Sequence, residues 1–310
     1  CIMLVLVLGS GCGKKEDESL TGKRYSITGK EDPDGYTVDV WIQKLDEGES
    51  RDQANAAKVL GTIGPGAKKA VPALKKKLES KDENIVIQSI LALIKIGDNG
   101  QEVAEALVKA LKFEQTEIRI TAIAALSKVG KGAEKAIPTL VELMGDPSET
   151  VKQASVEALG AMGPPAYPAL AKALTDSDKK VYESAGRILS EAGPDVVPSL
   201  SGLVQSRDKT HRERAGEILK NHGKAAVPPL ADAMKSLDEE VRMDAVTSLK
   251  DLGKDAEPAL GTLIKALKDT NTHVCNTATE ALAGIGKPAV AALIKTLDDE
   301  GEASIKTSTK

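Results

Sequence analysis

Any chemistry in this chain would have to come from few residues. The 310-residue sequence holds three histidines and three cysteines. His211 and His222 fall on one predicted helix, about 16 Å apart along its axis, too far to share a zinc ion whose ligand bonds are about 2 Å. Cys275 is a lone thiol, and His273, two residues before it on a predicted helix, does not share its face, so no activated nucleophile is expected there. Cys1, Cys12 and Cys275 make neither a disulfide framework nor a CxxC metal pair. No GxGxxG, Walker loop or GxSxG elbow is present, and Gly64-Pro65-Gly66 reads as a helix stop and turn, not a phosphate cradle. The sequence therefore predicts no catalytic residue, no metal site and no cofactor.

Cys12 has a different context. It follows a seven-residue apolar run, Ile2 to Leu8, far short of the roughly 20 residues that span a bilayer. The run fits the apolar core of an export signal. Gly9-Ser10-Gly11-Cys12 resembles a bacterial lipoprotein lipobox, which implies lipidation of Cys12. Gly9 departs from the usual Leu at that place, and no Met or basic residue precedes the run. Residues 1–12 are read as a truncated signal segment. Residues 13–36 are polar and aperiodic, with an Asp32-Pro33-Asp34-Gly35 turn, and are expected to form a flexible tether. The expected location is extracytoplasmic: a bacterial membrane lipoprotein, periplasmic or cell-surface.

The elements beyond the tether must be built without aromatics. Only Tyr25, Tyr36, Trp41, Phe113, Tyr167 and Tyr182 occur, yet 41% of residues are hydrophobic. The core must be aliphatic. A balance of 42 basic against 46 acidic residues gives −4, which speaks against a nucleic-acid partner, as does the shortage of stacking side chains.

From Val38 onward the chain repeats itself. Glycines close successive repeats at Gly64, Gly97, Gly130, Gly163, Gly193, Gly223, Gly253 and Gly286, at intervals of 33 or 30 residues. Four residues before each stands a leucine, from Leu60 and Leu93 through to Leu249 and Leu282. Eight before is always Ala or Ser, and twelve before is mostly Val or Ile: Ile85, Ile118, Val151, Val181, Val241 and Val274. These offsets share one face of a helix. Pro72, Pro138, Pro168, Pro198 and Pro228 open a preceding helix, where a missing N–H costs nothing. Asp82, Asp178, Asp208 and Asp238 are placed to cap the second helix. Each closing glycine is expected to end it in the left-handed conformation. The sixth repeat carries His211 and His222 in apolar slots and Gly202 and Gly216 inside its helices. It is expected to be the least stable.

The prediction is an all-α solenoid over residues 37–300: about eight helix pairs, a partial further unit and a tail at 301–310. A helix pair cannot bury its apolar face alone, and stacking makes the core continuous. The pattern resembles HEAT repeats of the short kind found in phycobilisome lyase subunits. The resemblance spans Val38 to Leu297 and rests on phrases such as Glu240-Val241-Arg242-Met243-Asp244-Ala245-Val246 and Ala225-Ala226-Val227-Pro228-Pro229-Leu230. It implies a scaffold that presents a surface to a protein partner. A bilin-lyase-like enzyme subunit and a nucleic-acid-binding protein are the alternatives.

Two surfaces stand out. The slot after the Val/Ile position holds Arg119, Lys152, Arg212 and Arg242. It is either a basic ladder for an acidic ligand or, as the interruptions at Val86, Tyr182 and Cys275 favour, a ladder paired internally with the Asp caps of neighbouring repeats. The second is an apolar excess at Val86, Ile87 and Leu91, continued by Ile120, which marks a candidate partner-binding patch.

Overall fold

A computed structural model describes residues 37–97 and 101–308 of the chain, with the side chains of 101, 102, 130, 131 and 298–308 left aside. The described residues are helical with short turns, and the fold is an α-solenoid. They fall into two compact bodies, one up to residue 98 and one from 99 onward.

The N-terminal body holds two repeats: α1 (Val38–Glu47) with α2 (Ser50–Ile63), and α3 (Val71–Lys77) with α4 (Glu83–Ile96). Trp41 and Leu45 are buried on α1, so Trp41 takes the place that Leu fills elsewhere. The two second helices, α2 and α4, approach closely at one glycine. A Cβ on Gly61 would stand 2.8 Å from the Cα of Ala92, so even alanine there would force the helices apart.

The C-terminal body holds six repeats. They are α5 (Gln101–Ala110) with α6 (Thr116–Val129), and α7 (Ile137–Leu143) with α8 (Glu149–Met162). Then come α9 (Tyr167–Ala173) with α10 (Lys179–Glu191), and α11 (Val197–Leu200) with α12 (Lys209–Lys220). Last are α13 (Val227–Ala233) with α14 (Glu239–Leu252), and α15 (Leu260–Ala266) with α16 (Thr272–Ile285). α17 (Lys287–Ser308) follows, running past the 300/301 boundary drawn from sequence.

The leucines four before each glycine are buried at every repeat, from Leu60 through Leu126 and Leu189 to Leu282, and the small slots beneath them are closed. Each such leucine contributes about 1.5–3 kcal/mol by leaving water. Asp82, Asp178, Asp208 and Asp238 cap their helices. Asp208 Oδ1, for example, accepts from the amides of Thr210 and His211 at 2.8 and 3.4 Å. Asn271 does the same for α16. The prolines sit in the first turn of α3, α7, α9, α11 and α13.

The 33- and 30-residue spacings differ in one place. A 3₁₀ segment of seven residues precedes α3, α7 and α15, but only three or four precede α9, α11 and α13. The helix stops also differ from expectation. Gly97 alone is shown in the left-handed helical region, at φ 75°, ψ 21°. Gly64, Gly163, Gly253 and Gly286 combine positive φ with ψ between −121° and −137°, a conformation essentially confined to glycine. It turns the chain into a 3₁₀ segment at Gly64, Gly163 and Gly253, and into α17 at Gly286. Gly193 is extended at φ −73°, ψ 178°, which suits a residue before proline.

Candidate functional site

The starts of the second helices hold most of the buried cations: Arg119, Lys152 and Arg212. The Val/Ile side chain there points into the repeat's core. The next side chain lies against the neighbouring turn and is buried: Val86 and Arg212 expose 0% and 2% of their surface, and Lys152 only 6%. By sequence alone this slot reads as an outer one. Its burial explains why its occupants are either apolar or engaged in hydrogen bonds and ion pairs.

Arg212, on α12, shows the arrangement in full. Its Nη1 donates to the carbonyls of Ser206 and Arg207 at 2.9 and 3.0 Å. Nε and Nη2 reach forward to Asp244 at 2.6 Å and Glu240 at 3.1 Å on α14. Burial alone would lower its pKa, but the two carboxylates outweigh that and raise it. Arg242 repeats the pattern one repeat on. It donates to the carbonyls of Ser236 and Leu237, and bidentately to Asp269 at 2.8 and 2.9 Å. That pair raises the pKa of Arg242 and holds Asp269 below the usual carboxylate range. Arg119 donates to the Phe113 and Glu114 carbonyls and to Asp146 at 3.0 Å, while its Nε is buried without a partner. Lys152 binds Glu149 of its own helix, which raises the lysine's pKa and lowers the glutamate's.

These four cations are thus turned into the stack. Each of the three arginines ties a turn to the next repeat. The acids they use are not the helix caps. Asp146 and Asp269 stand two residues earlier, and Glu240 and Asp244 lie within α14.

The interruptions are bonded too. Tyr182 is half-buried under Arg214, whose guanidinium carbon is 3.4 Å from the ring centroid. Arg214 donates to the carbonyls of Leu174 and Asp176 in the turn before α10. The fifth repeat therefore receives from α12 the donors that its own slot lacks. Arg214 gives no signal in the sequence because its role depends on a tyrosine 32 residues earlier. The Cys275 thiol, half-buried, lies 3.1 Å from the Leu267 carbonyl.

Of the apolar patch, Val86 is fully withdrawn from solvent and is core, because it occupies the inter-repeat slot. Ile87 and Leu91 on α4 are half-buried, as is Ile120 on α6 in the other body. Cys12 lies outside the described residues. The histidines are apart in role as well. His211 Nδ1 is 3.4 Å from Ser206 Oγ, while His222 Nε2 is 3.2 Å from the Leu189 carbonyl. Among the described residues no group of three or more His, Cys, Asp or Glu side chains could hold a metal ion, and no helix is long and apolar enough to cross a membrane.

Solved structures similar to this chain include one describing how Kap95p binding acts on the switch loops of RanGDP (14% identity, 80% of this chain and 39% of that chain, TM-score 0.41). Importin beta is similar at 14% identity over 81% of this chain and 40% of that one, TM-score 0.42. Human deoxyhypusine hydroxylase in complex with glycerol is similar at 20% identity over 80% of this chain and 95% of that one, TM-score 0.33. This chain therefore spans about two fifths of the length of the first two. No curated protein matches the sequence. A family model of HEAT repeats matches residues 38–127, 104–190 and 227–309, and over this greater part of its length the chain belongs to the HEAT repeat family.

Proposed function

We propose that this chain is a non-enzymatic scaffold that binds a protein partner on its solenoid surface, held on the outer side of a bacterial membrane by a lipid on Cys12. The observation that carries the scaffold reading is a contrast between two rows of side chains. The inward row hardly changes from repeat to repeat. The row two and six places after the Val/Ile slot changes at every step. In the C-terminal body it reads Ile120 and Ala124, Gln153 and Glu157, Glu183 and Arg187, Glu213 and Glu217, Met243 and Thr247, then Asn276 and Glu280. From Gln153 to Glu217 these side chains are exposed. A regular frame with a varied outer row suits recognition of one extended partner.

The test is photo-crosslinking from positions 183 and 213 in membranes of cells making the full chain, with Cys12→Ala alongside. The expected result is a discrete crosslinked protein, and loss of membrane association in the variant. No crosslinked protein would end the scaffold reading, and membrane retention of Cys12→Ala would end the anchor. A second check concerns Ile87 and Leu91. Ile87→Glu with Leu91→Lys is expected to lower partner recovery per folded molecule. A sharp fall in melting temperature with unchanged recovery would make them core.

A further inference from the structure

The outer row is broken by a groove between α8 and α10. It has a volume of about 340 Å³ and is lined by Gln153, Glu157 and Gly160 of α8, Arg187 and Glu191 of α10, and apolar side chains beneath. Two sequence choices open it. Gly160 has no side chain where the corresponding places in the C-terminal body hold Ser127, Ser190, Lys220, Lys250 and Ala283, although Gly61 stands at this place in the N-terminal body. Across from it, Ile188 Cγ2 lies 4.0 Å from where a Cβ would stand. The floor is Val156, Ile188 and the ring of Tyr167. Tyr167 stands at the first position of α9, in a slot that is Ile137, Val197 and Val227 in other repeats. There it forms a nearly buried platform, with 8% of its surface exposed.

The junction is also loosely tied. Where Arg119, Arg212 and Arg242 bond forward to acids of the next repeat, Lys152 forms its ion pair with Glu149 of its own helix. The rim is acidic. Glu157 is exposed and takes a hydrogen bond from Gln153, a neutral donor, at 2.9 Å. Glu191 is exposed, and Arg187 is the one cation among the lining side chains. Glu183, Glu213 and Glu217 continue the acidic row, each facing a lysine at 3.5, 3.6 and 2.9 Å.

We propose that this groove docks a short basic segment of a protein partner, seating one aliphatic side chain on the Tyr167–Ile188 floor with Lys or Arg side chains against Glu157 and Glu191. This rests on the scaffold reading and narrows it to one place and one chemistry. The aliphatic anchor follows from the size of the groove and its apolar floor. The basic flanks follow from the rim charge, which guides encounter and selects against acidic segments.

The experiment uses the full chain and fluorescein-labelled peptides at physiological salt, read by anisotropy. The probes are Lys-Lys-Leu-Lys-Lys, Lys-Lys-Gly-Lys-Lys and Glu-Glu-Leu-Glu-Glu. The leucine peptide is expected to bind saturably and about tenfold tighter than the glycine peptide, the difference of one buried apolar side chain. Gly160→Leu fills the groove and is expected to weaken the leucine peptide about tenfold. Gly160→Ala, which leaves most of the space, keeps binding and shows that a side chain at this helical position is tolerated. Glu157→Lys with Glu191→Lys is expected to abolish the preference for basic over acidic peptide. Equal affinity for the leucine and glycine peptides, unchanged affinity in Gly160→Leu with its helical signal intact, or absence of saturable binding would each overturn the proposal. The crosslinking above separates the two ideas. A partner still crosslinked to Gly160→Leu sinks the groove and leaves the scaffold, whereas peptide binding with no crosslinked protein sinks the scaffold.

Discussion

The sixth and seventh repeats share a length, a capping aspartate and a laddered arginine, yet they are built to different standards. In the seventh, α13 has seven residues and α14 fourteen, with Val241 fully buried in the first core slot. In the sixth, α11 has only four residues and gives way at Ser201–Gly202 to a separate 3₁₀ turn, Leu203–Gln205. α12 has twelve residues, and its first core slot holds His211, half-buried. The HEAT repeat matches pass over 191–226 and resume at 227. Still, Arg212 and Arg242 each donate to two turn carbonyls and to acids in the next repeat. The two supports of a repeat are therefore separable. The apolar stripe has decayed in the sixth while the polar tie has not, and that tie keeps the repeat in register.

If so, cutting the tie should hurt the sixth repeat most. Arg212→Ala leaves the Ser206 and Arg207 carbonyls without their donor and Asp244 without its cation, at a cost of about 1–3 kcal/mol. Hydrogen exchange is expected to quicken across 197–220 and much less across 227–252. Arg242→Ala should loosen the turn at Ser236 while α13 and α14 keep their protection, because their apolar stripe is whole. Equal losses in the two repeats would break the comparison.

The next effect is a repair. Gly202 has open space around it, with nothing within 4 Å of where a Cβ would stand, and its φ of −71° suits any residue. Gly202→Ala should gain about 0.5–1 kcal/mol by restoring helix propensity. His211→Val returns the slot to its usual occupant and should add a comparable gain, about 1 kcal/mol of apolar burial. Exchange at pH 5.5 in the parent is expected to be faster in the sixth repeat than in the seventh, and the double variant should close most of the gap. Parent repeats equally protected would show that broken helices here carry no thermodynamic weight.

Much of this contrast is legible in the sequence. The period, the buried Leu and Ala slots, the proline starts and the aspartate caps all follow from helical spacing, which depends only on neighbours in sequence, and Gly202 marks the irregular sixth repeat. What is not legible depends on the next layer. Whether Val86, Arg119 and Lys152 face solvent is set by how one repeat packs on another. Sequence therefore assigns the ladder's acids to the caps, when Asp146 and Asp269 hold them. The exchange of roles between Tyr182 and Arg214 needs the pairing of two helices to be known. Gly193 looks like its fellow helix stops, yet it is extended where Gly163, also followed by a proline and a three-residue connector, has positive φ, so the residues beside it do not set the difference. The groove is invisible in sequence because a single glycine at position 160 signals nothing until the ring of Tyr167 is seen beneath it.

The smallest difference appears only in acid, and it tests whether the two ties are alike. Asp269 is held below the usual aspartate range first by its hydrogen bonds to Arg242, with help from the Asn271 amide and against the opposing effect of burial. A carboxylate with a depressed folded-state pKa stabilises fully above its unfolded value and loses that contribution as pH falls through the folded one. The guanidinium stays charged throughout, so the loss falls below about pH 4. The tie between the seventh and eighth repeats should therefore weaken there, though it is steady from about pH 5 to 8. Asp269→Asn keeps the shape and removes the titration. Its urea midpoint should lie below the parent's at about pH 7 and approach it as pH falls through the folded-state pKa of Asp269, since protonation then strips the parent of the same charge. Equal midpoints across that range would mean that Asp269 acts through shape alone, and that the ladder is held by the arginine's bonds to the turn carbonyls.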